Sequence, residues 1–278
     1  MSADQTSKIK RILVALDDST KAIGLLRSAA ELAETLDAEL IGLFVEDIDL
    51  LRAAELPFFR EIDLITKTRR RLDRRQIERI LQDRAGEIRS EAERLLQETT
   101  IQWRFRIARG HVSEEIKNAA ADVDLLIMAR STMSDRRLGS SARNLARAVP
   151  GNLLLLEPSA ERYNNLVTIF DGSDKALHAM ETAAHLAEAQ AALLTIAVVA
   201  DSTKTAKNLQ REASIWLRDH GIDARFRWIL PPQSTRLAEI VGSEGQCMLI
   251  LPDESSLLEH EDISDLLSDL ACPVFLVG

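Results

Sequence analysis

The chain has 278 residues, of which 46% are apolar and 28% charged, so it is long enough for two ordinary domains that each bury a core. Its formal net charge of -9 argues against a general nucleic-acid binder, because such proteins need a basic surface to displace counterions from phosphates. No apolar run approaches the roughly 20 residues that span a bilayer, and residues 1–10 are polar, so we expect a cytoplasmic protein with no membrane or nucleic-acid partner.

The cysteines and histidines give no pattern typical of a metal site. Cys247 and Cys272 each lie within or beside a predicted buried strand, which favours free core thiols over a disulfide or a metal site. The five histidines are scattered, with no HExxH motif or paired-cysteine spacing, so no metal ligand is predicted.

The first elements along the chain predict a βαβ unit. Residues 11–16 form a short apolar run, which is typical of a buried parallel strand, and Asp17, Asp18 and Ser19 are predicted to cap the next helix. Apolar residues recur at helical spacing over residues 22–36, and residues 40–45 are predicted as the second strand. The connection between the two parallel strands is expected to be right-handed.

Residues 46–99 are predicted to be an enlarged helical insertion. Their basic cluster at residues 67–75 is interleaved with acidic residues, which favours a solvated helix face with ion pairs over a nucleic-acid patch. Residues 101–107 alternate apolar and polar, as a strand at a sheet edge does, and Ser113 is predicted to cap the helix that follows.

Residues 123–156 hold the most informative stretch. They predict an apolar strand at 123–128, a polar loop ending in Gly139, Ser140 and Ser141, a helix to residue 149, and a closing strand at 153–156. A small-residue turn before a helix forms an anion site, because backbone N–H groups and the helix dipole point outward there. Arginines at 136, 137 and 143 would suit a phosphate. A capped helix with a solvated arginine face is the alternative interpretation.

The pattern of the first elements begins again after a polar linker at residues 157–164. Residues 11–45 and 165–199 align without a gap at 12 identities in 35 positions, which indicates an internal duplication. Later segments also correspond: residues 104–106 with 225–227, 126–128 with 249–251, and 153–156 with 274–277. We therefore expect two domains, at residues 1–158 with the insertion at 46–99, and at residues 159–278 in a shorter form.

Alternating strands and helices in each copy predict a parallel sheet covered by helices on both faces. Ligands of such sheets bind beyond the carboxyl ends of the strands, where the strand order reverses. In the first copy, Asp17, Val45 and the loop at residues 129–141 would meet there.

These residues together resemble the universal stress protein family, in the tandem form with two such domains on one chain. The resemblance covers residues 10–278 and rests on the first-strand V-A-L-D, the second strand ending at Val45, Gly110, the strand at 123–128, the Gly139-Ser140 turn and the closing strands. It implies an α/β fold of two tandem Rossmann-like domains, each with a five-stranded parallel sheet covered on both faces.

The ATP-binding members of that family carry a motif similar to G-x2-G-x9-G-[ST] in the loop after the fourth strand. By position, Asp17 would contact the nucleotide, Val45 would lie beside the adenine, and Gly139 and Ser140 match the end of the motif. Ala129 and Thr132 stand where the family has its first two glycines, and the spacer to Gly139 is shorter by three residues. The resemblance implies ATP as a cofactor of the first domain only, with one site. Its residues are Asp17, Val45, Ala129, Gly139, Ser140 and Ser141.

The second copy departs further from the ATP-binding pattern. His260 and Glu261 take the place of the Gly-Ser pair, and residues 252–269 hold seven acidic residues and no Lys or Arg. The comparable residues 129–147 hold five arginines and one aspartate. Because an acidic lining repels a polyphosphate, we predict that the second site does not bind ATP. The acidic segment at 253–269 is either a solvated helix face or an electrostatic contact for a basic partner or a cation.

The leading functional hypothesis is a non-enzymatic stress-response or regulatory protein with at most one degenerate ATP site and no catalytic residue. One alternative is an adenine-nucleotide hydrolase-like enzyme with slow ATP hydrolysis, since residues 171–174 superficially resemble an SGGxDS phosphate loop without its glycine pair. A receiver domain is a weaker alternative, and a scaffold for an unidentified protein partner is another. The family commonly forms homodimers through closing strands. Here residues 153–156 and 274–277 could pair within the chain as a pseudo-dimer, with a homodimer as a further arrangement.

Overall fold

The computed structural model describes residues 9–17, 21–56, 61–62, 69–70, 73–97, 99–130, 151–156, 163–253, 270 and 272–278. Ten strands among these residues form one sheet. The strands of the first half are β1 (Arg11–Leu16), β2 (Glu39–Asp47), β5 (Trp103–Gly110), β6 (Leu125–Ala129) and β7 (Asn152–Leu156). Those of the second half are β8 (Asn165–Phe170), β9 (Leu193–Val199), β10 (Ala224–Ile229), β11 (Cys247–Pro252) and β12 (Val274–Val277). Across the sheet the order is β10-β9-β8-β11-β12-β7-β6-β1-β2-β5.

Helices pack on both faces of this sheet. They are α1 (Ala22–Leu36), α2 (Ile48–Ala53), α3 (Arg74–Leu96), α4 (Val112–Ala120), α5 (Asp174–Gln190), α6 (Thr203–Asp219) and α7 (Ser234–Ser243). One core contains side chains of α1, α3, α5 and α6, and the other contains side chains of α4 and α7. Within each half all neighbouring strands are parallel, so the predicted α/β fold of two five-stranded parallel sheets covered on both faces is confirmed.

Strand register shows the internal duplication directly. Phe105 lies opposite Gly42 in the first half, and Phe226 lies opposite Ile196 in the second, which are the positions that the alignment equates. The same holds for the later strands, where Ile127 pairs with Val14 as Ile250 pairs with Thr168. Helix ends repeat as well, because α1 and α5 both stop at a left-handed residue, Asp37 and Ala191.

The two halves join through their last strands. β7 and β12 pair antiparallel, with Leu155 opposite Val274 and Leu153 opposite Leu276, as expected for closing strands that pair within one chain. The outer strands of the sheet are therefore β5 and β10, and the prediction that residues 101–107 form an edge strand is confirmed.

Three local predictions need correction. Lys21 occupies the N-cap of α1 without a side-chain hydrogen bond, whereas the cap was expected from residues 17–19, of which 18 and 19 lie outside the described residues. The N-cap of α4 is His111, and Ser113 lies inside the first turn. The insertion also contains a two-stranded sheet, β3 (Glu61–Ile62) with β4 (Arg69–Arg70), which its helical composition did not indicate.

Candidate functional site

The strand order of the first half reverses between β1 and β6. The chain runs from β1 outward through β2 to β5, and then crosses back to add β6 on the other side of β1. Crossover connections leave from opposite sides of these two neighbouring strands, which opens a crevice at their carboxyl ends. This is the region where the sequence predicts the ligand site.

Strand pairing brings three of the predicted site residues to this crevice. Leu16 lies opposite Phe44, so the next residues along the two strands, Asp17 and Val45, are neighbours. Val14 pairs with Ile127, and the same register carried two residues further places Ala129 beside Leu16. The side chain of Val45 is half-buried against the core, and Ala129 is buried. The remaining predicted residues, Gly139, Ser140 and Ser141, lie outside the described residues, as does Thr132.

Two cations lie at the same edge. Arg130 follows β6 directly, as Asp17 follows β1, and exposed Lys21 stands at the N-cap of α1. The Arg130 guanidinium also reaches into the second half, where its Nη1 donates to the carbonyl oxygens of Leu270 at 2.5 Å and Cys272 at 2.9 Å. This edge of the sheet therefore carries an apolar side chain, a carboxylate and two cations. These groups suit the base, the hydroxyls and the phosphates of a nucleotide, respectively.

The equivalent place in the second half has the opposite charge at one position. Asp171 and Val199 take the places of Asp17 and Val45, and Asp253 takes the place of Arg130. Lys175, the counterpart of Lys21, donates from Nζ to Asp253 Oδ1 at 2.8 Å and is neutralised by this ion pair. At these two positions the second half therefore presents to a phosphate an aspartate and a lysine that are already paired with each other.

The turn after β8 is also closed by its own contacts. Ser173 donates to Asp171 Oδ1 from both its backbone nitrogen, at 3.0 Å, and its hydroxyl, at 2.7 Å. Gly172 has a positive φ of 85°, and a Cβ at this position would lie 2.6 Å from Leu209 Cδ2 of α6. Leu209 thus covers the turn where a phosphate would approach the backbone.

A partly buried ionic network lies next to Val45 at the ends of β2 and β5. Arg109 Nε is 2.6 Å from Glu46 Oε2, and Arg109 Nη1 is 2.7 Å from Glu78 Oε1 on α3. The hydrogen bonds that Arg109 donates to Glu46 and Glu78 raise the pKa of Arg109 above its ordinary value, so the guanidinium stays charged. The network fastens the insertion helix α3 to the sheet beside the candidate site.

A cavity of about 400 Å³ lies at the other edge of the sheet, and the predicted site does not use it. It is lined by residues that precede β1, β2 and β5, among them Lys10, Asp37 and Gln102. Within the described part of the chain, no group of histidine, cysteine and acidic side chains is arranged to hold a metal ion. None of the described helices has both the length and the apolar character needed to cross a bilayer.

Sequence reasoning missed Arg130 and the Lys175–Asp253 pair as parts of these two sites. The signal for the lysines was present, because Lys21 and Lys175 are identical in the duplicated alignment. Arg130 and Asp253 lie in segments that correspond only through strand register, so their equivalence needed the sheet.

A comparison with protein families matches the first half of the chain, and a comparison with solved structures matches nearly all of it. A sequence profile described as the universal stress protein family matches residues 8–156, which is more than half of the 278 residues. A search of curated proteins found no significant match.

Solved structures share the fold over nearly the whole length. A universal stress protein from Archaeoglobus fulgidus is 14% identical with a TM-score of 0.73, over 96% of this chain and 98% of its own. A putative universal stress protein from Pseudomonas aeruginosa is 16% identical with a TM-score of 0.62, over 99% of this chain and 95% of its own. A universal stress protein solved in complex with cAMP is 17% identical with a TM-score of 0.38, over 55% of this chain and 100% of its own, a likeness too low to transfer its ligand.

The first half matches the family profile, the second half repeats its strand order and register, and a solved universal stress protein shares the fold over nearly the whole chain. The chain therefore belongs to the universal stress protein family.

Proposed function

We propose that the protein is a non-enzymatic stress-response regulator with at most one nucleotide site, in its first half. The site comprises Asp17, Val45 and Ala129, together with the Gly139-Ser140-Ser141 turn. The family resemblance implies ATP as the nucleotide, and universal stress proteins are generally non-enzymatic. We extend both properties, and a cytoplasmic location, to this chain.

One observation most strongly supports a nucleotide site in the first half and none in the second. At the same position of strand register, the first half has Arg130 and the second half has Asp253, which already holds Lys175 in an ion pair. A polyphosphate is attracted by the first arrangement, because opposite charges at contact interact by a few kcal/mol at intermediate dielectric. The neutral ion pair of the second arrangement offers it no such attraction. We therefore assign the second half a structural or partner-binding role.

Calorimetric titration with ATP and magnesium tests this proposal, after the purified protein has been checked for carried nucleotide. We expect one-to-one binding that is lost in Asp17→Ala and in Gly139→Trp. Asp171→Ala is the matched control, because it removes the duplicated aspartate from the second half, and it should bind as the wild type does. Phosphate release above the rate of the protein-free blank is not expected.

Three results would contradict the expectation of one working site in the first half. Two bound nucleotides per chain, or loss of binding in Asp171→Ala with its circular dichroism unchanged, would assign a working site to the second half. Absence of both binding heat and carried nucleotide would make the first site vestigial as well. The partner-binding scaffold would then be the better description of the protein.

A further inference from the structure

The two cysteines of the chain lie near each other, although 24 residues, 248–271, separate them in sequence. Cys247 begins β11, and Cys272 lies two residues before the start of β12. Leu249 pairs with Val274, so the residues two positions earlier on each side are Cys247 and Cys272. Both belong to the core that contains α4 and α7, where Cys247 is 1% exposed and Cys272 is 7% exposed.

The register of β11 and β12 is compatible with a disulfide between residues that flank it. Neighbouring strands lie about 4.8 Å apart, which is inside the range of about 4.4 to 6.8 Å between the Cα atoms of bonded cysteines. Both thiols are free, and the Cys247 thiol donates a hydrogen bond to the carbonyl oxygen of Val241 at 3.6 Å. A bond between the sulfur atoms would therefore need rotation of side chains and no displacement of a strand.

The two thiols differ in reactivity. The neighbouring Cys247 thiol lowers the pKa of the Cys272 thiol, and the charge of Arg130 lowers it further against the opposing effect of burial. The neighbouring Cys272 thiol and burial raise the pKa of Cys247. Arg130 is held in place by the carbonyl oxygens of Leu270 and Cys272. Cys272 is thus both the more exposed thiol and the one that lies nearer the thiolate form, which is the nucleophile.

The thiol pair is not inherited from the duplication. By strand register the equivalent positions in the first half are Asp124 and Gly151. The Asp124 carboxylate accepts hydrogen bonds from the backbone nitrogens of Lys10 and Arg11, both at 2.8 Å. The second half thus carries chemistry that the first half lacks at the same place.

We propose that Cys247 and Cys272 form a redox-active dithiol, which a hydroperoxide oxidises to an intramolecular disulfide. The Cys272 thiolate attacks one peroxide oxygen, the O–O bond breaks, and water leaves after protonation, so that Cys272 becomes a sulfenic acid. The Cys247 sulfur then attacks the Cys272 sulfur, and its proton leaves with the displaced hydroxide as a second water. Two thiols lose two electrons in total and hydrogen peroxide gains them.

This bond would change the second half at a defined place. It would fix the start of β11 to a residue two positions before β12, which is the strand at the seam between the halves. It would also tie together the two ends of residues 248–271, independently of any nucleotide in the first half.

Peptide mapping of the native full chain after treatment with hydrogen peroxide tests the proposal. We expect a cross-link between the peptides of Cys247 and Cys272, loss of two hydrogen atoms from the intact mass, and reversal by dithiothreitol. In Cys247→Ala, which lacks the second thiol, Cys272 should instead be trapped as a sulfenic acid by dimedone. Arg130→Gln should slow disulfide formation severalfold, while Arg104→Gln on distant β5 should leave the rate unchanged.

The wild-type measurement needs no variant to fold, so it decides the matter by itself. Thiols that stay free at a peroxide concentration that oxidises free cysteine would overturn the proposal. Disulfides found only between chains, or only after denaturation, would overturn it equally. A wild-type rate in Arg130→Gln would contradict the activating role given to Arg130.

Discussion

Arg109 is the residue whose partners matter most beside the candidate site. It lies near the end of β5 and joins Glu46 on β2 to Glu78 on α3. The Glu46 side chain is only 8% exposed, whereas that of Arg109 is 41% exposed. A buried carboxylate without a partner is costly, so the network depends on the arginine more than an exposed ion pair would.

Arg109→Ala is expected to lower the free energy of unfolding by about 2 kcal/mol, because it leaves Glu46 buried and unpaired while solvent screening at Arg109 reduces the full effect. Urea denaturation measures this change. Arg104→Ala on the same strand is the matched control, since the Arg104–Glu39 pair is 65% and 23% exposed. Its cost should stay below about 1 kcal/mol. Equal losses in the two variants would show that the network stabilises nothing beyond a surface pair.

At the scale of elements, α3 shows how the insertion is built. Its N-terminus has a capping box, in which Asp73 Oδ1 accepts from the backbone nitrogen of Gln76 at 2.8 Å and Gln76 Oε1 accepts from that of Asp73 at 3.0 Å. The sequence interpretation gave Asp73 to an ion-paired helix face, and the structure makes it the cap instead. The expected ion pairs do occur further along the helix, for example between Arg89 and Glu93.

Asp73→Ala is expected to cost about 1 kcal/mol of stability, because it leaves helix N–H groups of the first turn without an acceptor. Hydrogen exchange of the α3 peptides should be accelerated together with the loss in urea denaturation. Asp83→Ala, at an exposed position of the same helix, is the control and should stay within about 0.5 kcal/mol of the wild type. Unchanged stability and hydrogen exchange in Asp73→Ala would mean that packing alone stabilises the start of the helix.

For the whole molecule, the antiparallel seam between β7 and β12 joins two duplicated halves into one sheet. One core cluster contains buried residues of both halves, and α1 contacts α5 across the join. Because hydrogen bonds and apolar burial are both continuous across the seam, we expect the chain to unfold in a single cooperative transition.

Phe275 lies on β12 opposite Leu154 and is fully buried. Phe275→Ala is expected to cost about 3 to 5 kcal/mol, through lost burial and the cavity left behind. Calorimetry should still show one transition, and hydrogen exchange should rise in β7 as well as in β11. Leu193→Ala, which is 51% exposed in the wild type, is the control and should change little. A second half that unfolds alone would contradict the coupling.

Much of the fold follows from local patterns. Apolar runs and helical spacing predicted the main strands and helices, since burial imposes periods of 2 and 3.6 on neighbouring residues. The duplication then placed Asp17 and Val45 at equivalent strand ends, and strand pairing confirms that they are neighbours. The β3–β4 pair escaped prediction because two-residue strands carry no measurable period.

Contacts between distant residues required the folded sheet. The Arg130 bond to Cys272, the Lys175–Asp253 pair and the adjacent cysteines join positions far apart in sequence. The sequence shows which of these residues are charged or apolar, but it does not show which of them are in contact. Strand order and register make that choice, because they fix which side chains of separate segments lie within about 5 Å of each other.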